Sequence, residues 1–239
     1  MAQPTDAEQF LTETSSFSFA CNDALPCFTQ CCKDVNIYLT PYDVLRLRQA
    51  LQTGSSEFLS KYTRSFLSKG TNIPVVQLAM DTDTLRCPFV TQDGCQVYDD
   101  RPWACRMFPI DLAGTGDQYR LIAGKERCKG LFDHSKKMTV KDWLQSQGVL
   151  EYAEMDREFQ SVVPARFKPG APMNEGLGRV LFIAYDLDRF AELLKDSRFA
   201  SFNDVDEEML ALANKDMKEL LKLAFGYIRA RMDELYRIV

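Results

Sequence analysis

The 239-residue chain is predicted to be an α+β protein, mostly helical, with an irregular cysteine-rich N-terminal half containing a short hairpin and a helical C-terminal half. Three observations predict this. All eight cysteines lie at or before Cys128. Beyond Lys136 apolar residues recur at the spacing of long amphipathic helices. Between Cys87 and Cys95 the tetrapeptide Thr91-Gln92-Asp93-Gly94 is a hairpin turn signal. The expected organisation is an N-terminal tail over 1–20, a cysteine-cluster domain over 21–135 and a helical region over 136–239 packed on it.

Taken in order, Leu39-Thr40-Pro41-Tyr42-Asp43 opens the first helix. Thr40 can cap, Pro41 suits the first helical position, and Asp43 returns a carboxylate to the positive end. Val44, Leu45, Leu47 and Leu51 give its apolar face. A second helix is expected over 57–67, with Ser55 or Ser56 before it and Phe58, Leu59, Tyr62 and Phe66 as its core side. Residues 75–79, 87–90, 95–98 and 119–123 read as extended. Asp99-Asp100-Arg101-Pro102 starts a helical turn that carries Cys105. Long helices are expected over 140–159, 177–195 and 205–236, interrupted around Pro164, Pro169, Gly170 and Pro172. In the last of them Met209, Leu210, Met217, Leu220, Leu221, Ala224, Tyr227 and Ile228 form a stripe read as packing rather than as a cofactor site.

Composition narrows the function. With 46% apolar and 26% charged residues the chain can bury a globular core. Its 29 basic and 34 acidic residues and a pI near 5.1 argue against nucleic acid as the main partner, because phosphate binding needs concentrated positive charge. Residues 1–20 have neither the basic nor the apolar region of a secretory signal, and no run is long enough to span a membrane. A cytoplasmic location is therefore expected. In a reducing compartment structural disulfides are disfavoured, which leaves metal binding or thiol chemistry to explain the cysteines.

The cysteines fall into Cys21, Cys27, Cys31 and Cys32, then Cys87, Cys95, Cys105 and Cys128, with a thiol-free stretch over 33–86 between them. Four thiolates commonly hold a soft metal or an iron–sulfur cluster, so eight suffice for two sites, or for one site with a remainder. If Phe28-Thr29-Gln30 is one helical turn, Cys27 and Cys31 share a face and Cys32 points about 100° away. The hairpin would bring Cys87 and Cys95 together, whereas Cys128 must be delivered by long-range folding. Lys33, Arg86, Arg106, Arg127 and Lys129 neighbour the thiols and would favour thiolate. His134, the only histidine, excludes a histidine-rich zinc site and is at most a single mixed-site ligand. Radical-enzyme, ferredoxin and Cys-x2-Cys spacings are absent, as are dinucleotide and phosphate-loop motifs.

The combination of Cys21-x5-Cys27-x3-Cys31-Cys32, the Leu39 to Asp43 helix start, Cys87-Pro88-Phe89, Asp93-Gly94-Cys95 and the Tyr98 to Pro109 run with Arg101-Pro102, Cys105-Arg106 and Phe108-Pro109 resembles the YkgJ-type cysteine-cluster family. The resemblance covers residues 21–128. It implies a zinc- or iron-chelating domain related to flagellin lysine N-methylases, with all eight cysteines as candidate ligands to zinc or an iron–sulfur cluster. Pro102 would aim Cys105 inward, Tyr98 and Phe108 would exclude water from the sulfurs, and Arg101 or Arg106 would offset thiolate charge. The leading expectation is a metal-binding protein with a redox or group-transfer role. A metal-dependent lysine methyltransferase-like enzyme and a non-enzymatic zinc-stapled interaction module stay open beside it, and no catalytic residue is assigned.

Overall fold

The structure is a computed structural model, and it describes residues 10–114, 117–124, 126–132, 136–163 and 173–237. Helices outweigh strands, and the strands form four separate two-stranded pairs. The chain divides into two compact units that interleave in sequence. The first comprises residues up to 35 with 80–98 and 103–151, and the second comprises 36–79, 99–102 and 152–239. His134 and the interruptions at Pro164, Pro169, Gly170 and Pro172 lie outside the described residues.

In the first unit β1 (Ser16–Ser18) pairs antiparallel with β8 (Lys137–Thr139) and ties together two segments far apart in sequence. The hairpin expected at Thr91 to Gly94 forms between β4 (Val90–Thr91) and β5 (Gly94–Cys95), with Gly94 at φ 117°. It is shorter than the extended runs predicted, because the ladder stops at Cys95 and a 3-10 turn over Tyr98–Asp100 follows. Helix α3 (Trp103–Met107) then carries Cys105, as expected from Pro102. Strand β6 (Ile110–Leu112) pairs with β7 (Tyr119–Leu121). Helix α4 (Val140–Ser146) opens with Thr139 and Asp142 in a reciprocal capping box. The core gathers around Trp143, whose ring meets Phe17 and Phe19 edge-on and whose indole N–H donates to the Met107 carbonyl at 3.2 Å.

The second unit is built on helices. Thr40 and Asp43 form the expected capping box of α1 (Pro41–Ala50). Helix α2 (Ser55–Tyr62) ends earlier than predicted. Residues Thr63–Leu67 form β2 instead, pairing with β3 (Pro74–Leu78), so Phe66 is 50% exposed rather than part of the core. Cross-strand pairing outweighs the helical spacing there, since the helix has already closed on the Thr63 hydroxyl bonded to the Leu59 carbonyl.

The long predicted helices are each broken. Gly148, at φ 64°, separates α4 from α5 (Val149–Gln160). Asp186 caps α7 (Leu187–Leu194) and divides it from α6 (Glu175–Phe182). After α8 (Ser197–Phe202), an extended Asp216 parts α9 (Glu207–Lys215) from α10 (Met217–Arg237). Apolar spacing does not register a short interruption between two helices, which is why the sequence pattern reads as continuous. Leu220, Leu221, Ala224 and Ile228 of the predicted stripe are buried, whereas Met209 is exposed. Helix α10 packs against α1, α6, α7 and α9. Among the described residues no helix is long and apolar enough to cross a membrane.

Candidate metal centre

All eight cysteines belong to the first unit, and none is disulfide-bonded. Phe28-Thr29-Gln30 is not the helical turn that would put Cys27 and Cys31 on one face. Asn22 turns the chain, its side chain accepting from the Ala24 N–H at 3.0 Å, and Thr29 adopts a left-handed conformation at φ 63°. Only Gln30–Cys32 is helical, as a 3-10 turn. Cys27 and Cys31 therefore reach their neighbourhood through a loop rather than through a shared helix face. The side chains of Cys31 and Cys32 stay close, with 3.9 Å between sulfurs.

Cys128 is brought to this loop from the far end of the unit. The Lys129 N–H donates to the Cys27 sulfur at 3.2 Å, and the Ala20 N–H donates to the Gly130 carbonyl at 3.1 Å. Gly130 permits the approach, since a Cβ there would lie 2.4 Å from the Ala20 carbonyl oxygen. Cys21, Cys27, Cys31 and Cys128 consequently lie within electrostatic range of one another. Burial pushes the Cys21 thiol up to about 11, helped by Cys31, Cys27 and Cys128. Cys31 is pushed up chiefly by its contact with Cys32, then by burial, against a smaller opposing pull from Arg127. Burial also raises Cys128, opposed by the backbone N–H groups of Gly130 and Leu131. A set of thiols that disfavours its own ionisation is one that a soft cation relieves, because the cation replaces protons and offsets the accumulated charge.

The remaining cysteines fall differently from the order in sequence. The Cys87 N–H donates to the Cys32 carbonyl at 2.8 Å, and an isolated bridge joins Lys33 to Arg86, so the loop before β4 lies alongside Cys32. Cys87 and Cys95 face each other across the hairpin closely enough that Cys95 adds to the rise that burial imposes on Cys87. Cys105 is half-buried on α3. The two groups of four apparent in the sequence are thus re-sorted, since Cys128 joins Cys21, Cys27 and Cys31. Among the described residues no three His, Cys, Asp or Glu side chains close on a single point. The thiols are gathered without being closed.

Of the expected neighbours, Phe108 packs edge-on against Phe19 beside the unit's core, but Tyr98 is 57% exposed and does not shield the sulfurs. Tyr98 ends the hairpin at the start of a 3-10 turn, which leaves its ring outward. Arg101 and Arg106 are both buried, and Arg106 donates to the Gln147 carbonyl at 2.7 Å. Arg86 donates to the Thr29 hydroxyl at 2.9 Å and holds the left-handed corner before Cys31. Gly130 and Ala20 are the positions that sequence reasoning missed. The only available signal was a glycine two residues after a cysteine.

Soft thiol donors brought together on irregular backbone are the donor chemistry that metal-chelating cysteine clusters use. Residues 20–137 match the model of the CxxCxxCC family, described as "Putative zinc- or iron-chelating domain". The cysteine-rich part of the chain is therefore similar to that family, in agreement with the resemblance carried by its motifs. The family name spells intervals of two residues before the paired cysteines, whereas this chain has five and three. The Asn22 turn and the left-handed Thr29 take up that extra length. No curated protein and no solved structure matches the chain.

Proposed function

We propose that the first unit is a metal-binding module of the cytoplasm in which Cys21, Cys27, Cys31 and Cys128 hold one centre, and in which Cys32, Cys87, Cys95 and Cys105 serve a second. The observation that supports this most is the convergence of Cys128 on a loop about a hundred residues earlier, held by one backbone–backbone hydrogen bond, by one from the Lys129 N–H to the Cys27 sulfur, and by a glycine with no room for a side chain. The donor set fits zinc or an iron–sulfur cluster, both of which take four thiolates. Zinc would supply a fixed, redox-inert cross-link and an iron–sulfur cluster a one-electron centre. The chain's own residues gather the sulfurs, whose protons would pass to solvent water, and Phe19 and Phe108 keep an apolar wall beside Cys128.

The test is anaerobic purification followed by metal analysis and X-ray absorption. A brown protein with iron and sulfide identifies a cluster, and a colourless one with zinc in an all-sulfur shell identifies a structural ion. Cys31→Ser or Cys128→Ser should lower metal content by one centre and lower the melting temperature. Unchanged metal content and melting in both variants would refute the ligand assignment. Added S-adenosylmethionine or reductant separates the catalytic alternatives, because a closed all-sulfur shell insensitive to both leaves only the binding role.

A further inference from the structure

We propose that the outer edge of β2 is a docking site for an extended peptide segment of another protein, which adds to β2 as a third strand and carries alternating apolar side chains with a carboxylate among them. The argument starts from backbone accounting. The Leu39 N–H donates to the Val76 carbonyl, and the Leu78 N–H donates to the Ile37 carbonyl. Val76 and Leu78 therefore direct their backbone groups away from β2, and so do their opposite numbers Ser65 and Thr63 with respect to β3. By alternation Leu67 faces outward as well. Strand β3 is thus covered on both sides and β2 on one, and among the described residues no backbone group pairs with the outward N–H and C=O of Ser65 and Leu67.

This edge is solvent-accessible, with Phe66 50% exposed, and it borders a groove. Ser65, Phe66 and Leu67 form one wall of a groove of about 580 Å³ whose other wall is Val180, Phe182, Ile183 and Leu193 of the α6–α7 region. That volume is within the range of sites that bury a ligand segment. A strand laid along β2 would gain main-chain hydrogen bonds from Ser65 and Leu67 and place every second side chain on the apolar wall, the arrangement of β-strand addition. Charge selects among occupants. Arg179 and Arg189 line the groove, and only Asp186 opposes them there. Arg179 is shared loosely with Glu175 at 3.7 Å, both being well exposed. Asp186 is already engaged by the Ser55 and Ser56 hydroxyls at 2.8 Å. The positive excess favours a segment with a carboxylate and disfavours a second copy, whose own arginines would be brought against these.

The experiment uses the full chain with short synthetic peptides in which valine alternates with serine and one central position is Asp, Ser or Lys. The Asp peptide should bind best and slow amide exchange at Ser65 and Leu67 about tenfold or more. N-methylation of the peptide amides that face β2 should abolish binding. Ser65→Pro removes an outward donor without touching the β2–β3 ladder, so it should weaken binding about tenfold while the circular dichroism stays unchanged. Arg189→Glu should transfer the preference to the Lys peptide. Binding unaffected by Ser65→Pro, or no protection at Ser65 and Leu67 with any peptide, overturns the proposal. Protection that grows with protein concentration in the absence of peptide overturns it too, by assigning the edge to a second copy.

Discussion

Single atoms decide much at the residue scale. Gly130 lets the turn carrying Cys128 press on Ala20, and Gly130→Ala should push that turn outward by forcing a Cβ against a carbonyl oxygen. The expected result is reduced metal retention on dialysis with little change in helix content, read by metal analysis and circular dichroism. Asp142 is a second case. Hydrogen bonds from Thr139, side chain first and then backbone, hold its carboxyl below the ordinary value of 3.8. A depressed acid contributes stability that is present above its unfolded value and is lost as pH falls through its folded one. Asp142→Asn should therefore be less stable than the parent at neutral pH, with the gap closing below about pH 3.8, as measured by urea unfolding across that range. Cys21 behaves oppositely as an acid pushed upward, so under the proposed ligand assignment metal uptake should release its proton, read by a pH-indicator titration of the metal-free protein.

At the scale of elements, caps and strand edges do the organising. Helices α2 and α7 are joined at their N-termini by a reciprocal pair. The Ser55 N–H donates to the Asp188 carboxylate at 2.7 Å, and the Asp188 N–H donates to the Ser55 hydroxyl at 2.8 Å. Ser55 is fully buried, and its hydroxyl also donates to Asp186. Ser55→Ala leaves a buried N–H and a carboxylate short of a partner, so it should cost about 1–3 kcal/mol in denaturant unfolding. Thr40→Ala removes one half of the α1 capping box and should cost about 1 kcal/mol by the same measurement. Glycine at 178 plays a comparable role for α6, where a Cβ would lie 2.3 Å from the Asn72 carbonyl oxygen in the β2–β3 turn.

Across the whole molecule, the two units rest on different physics. The helical unit buries Phe58, Phe190, Leu221 and Ile228 completely and has an apolar core of its own. Phe190→Ala should cost about 3–5 kcal/mol there, as burial of an aromatic side chain is lost and a cavity is left. The cysteine-rich unit combines a smaller cluster around Trp143 with a long irregular loop that makes few backbone ladders. Metal energy is folding energy for such a loop. Removing metal with a chelator under reducing conditions should increase amide exchange over 27–32 and 128–131, while the amides of Phe190 and Leu221 keep their protection. Equal loss of protection in both regions would mean that the metal does not act on the cysteine loop selectively.

Residue order alone was enough for the fold class, the α1 capping box, the Thr91 to Gly94 turn, the helical step before Cys105 and the resemblance to a zinc- or iron-chelating domain. Each of these depends on neighbours a few positions apart, so local sequence carries the whole signal. Three-dimensional pairing was needed for the rest. It turned Thr63–Leu67 from helix into strand, because β3 offers a partner that helical spacing cannot register. It broke three long apolar runs into helix pairs, because a period is blind to a short interruption between helices. It also moved Cys128 from the second cysteine group to the first. That assignment depends on where a chain folding back over about a hundred residues comes to rest, and nothing in the spacing of the cysteines encodes that distance.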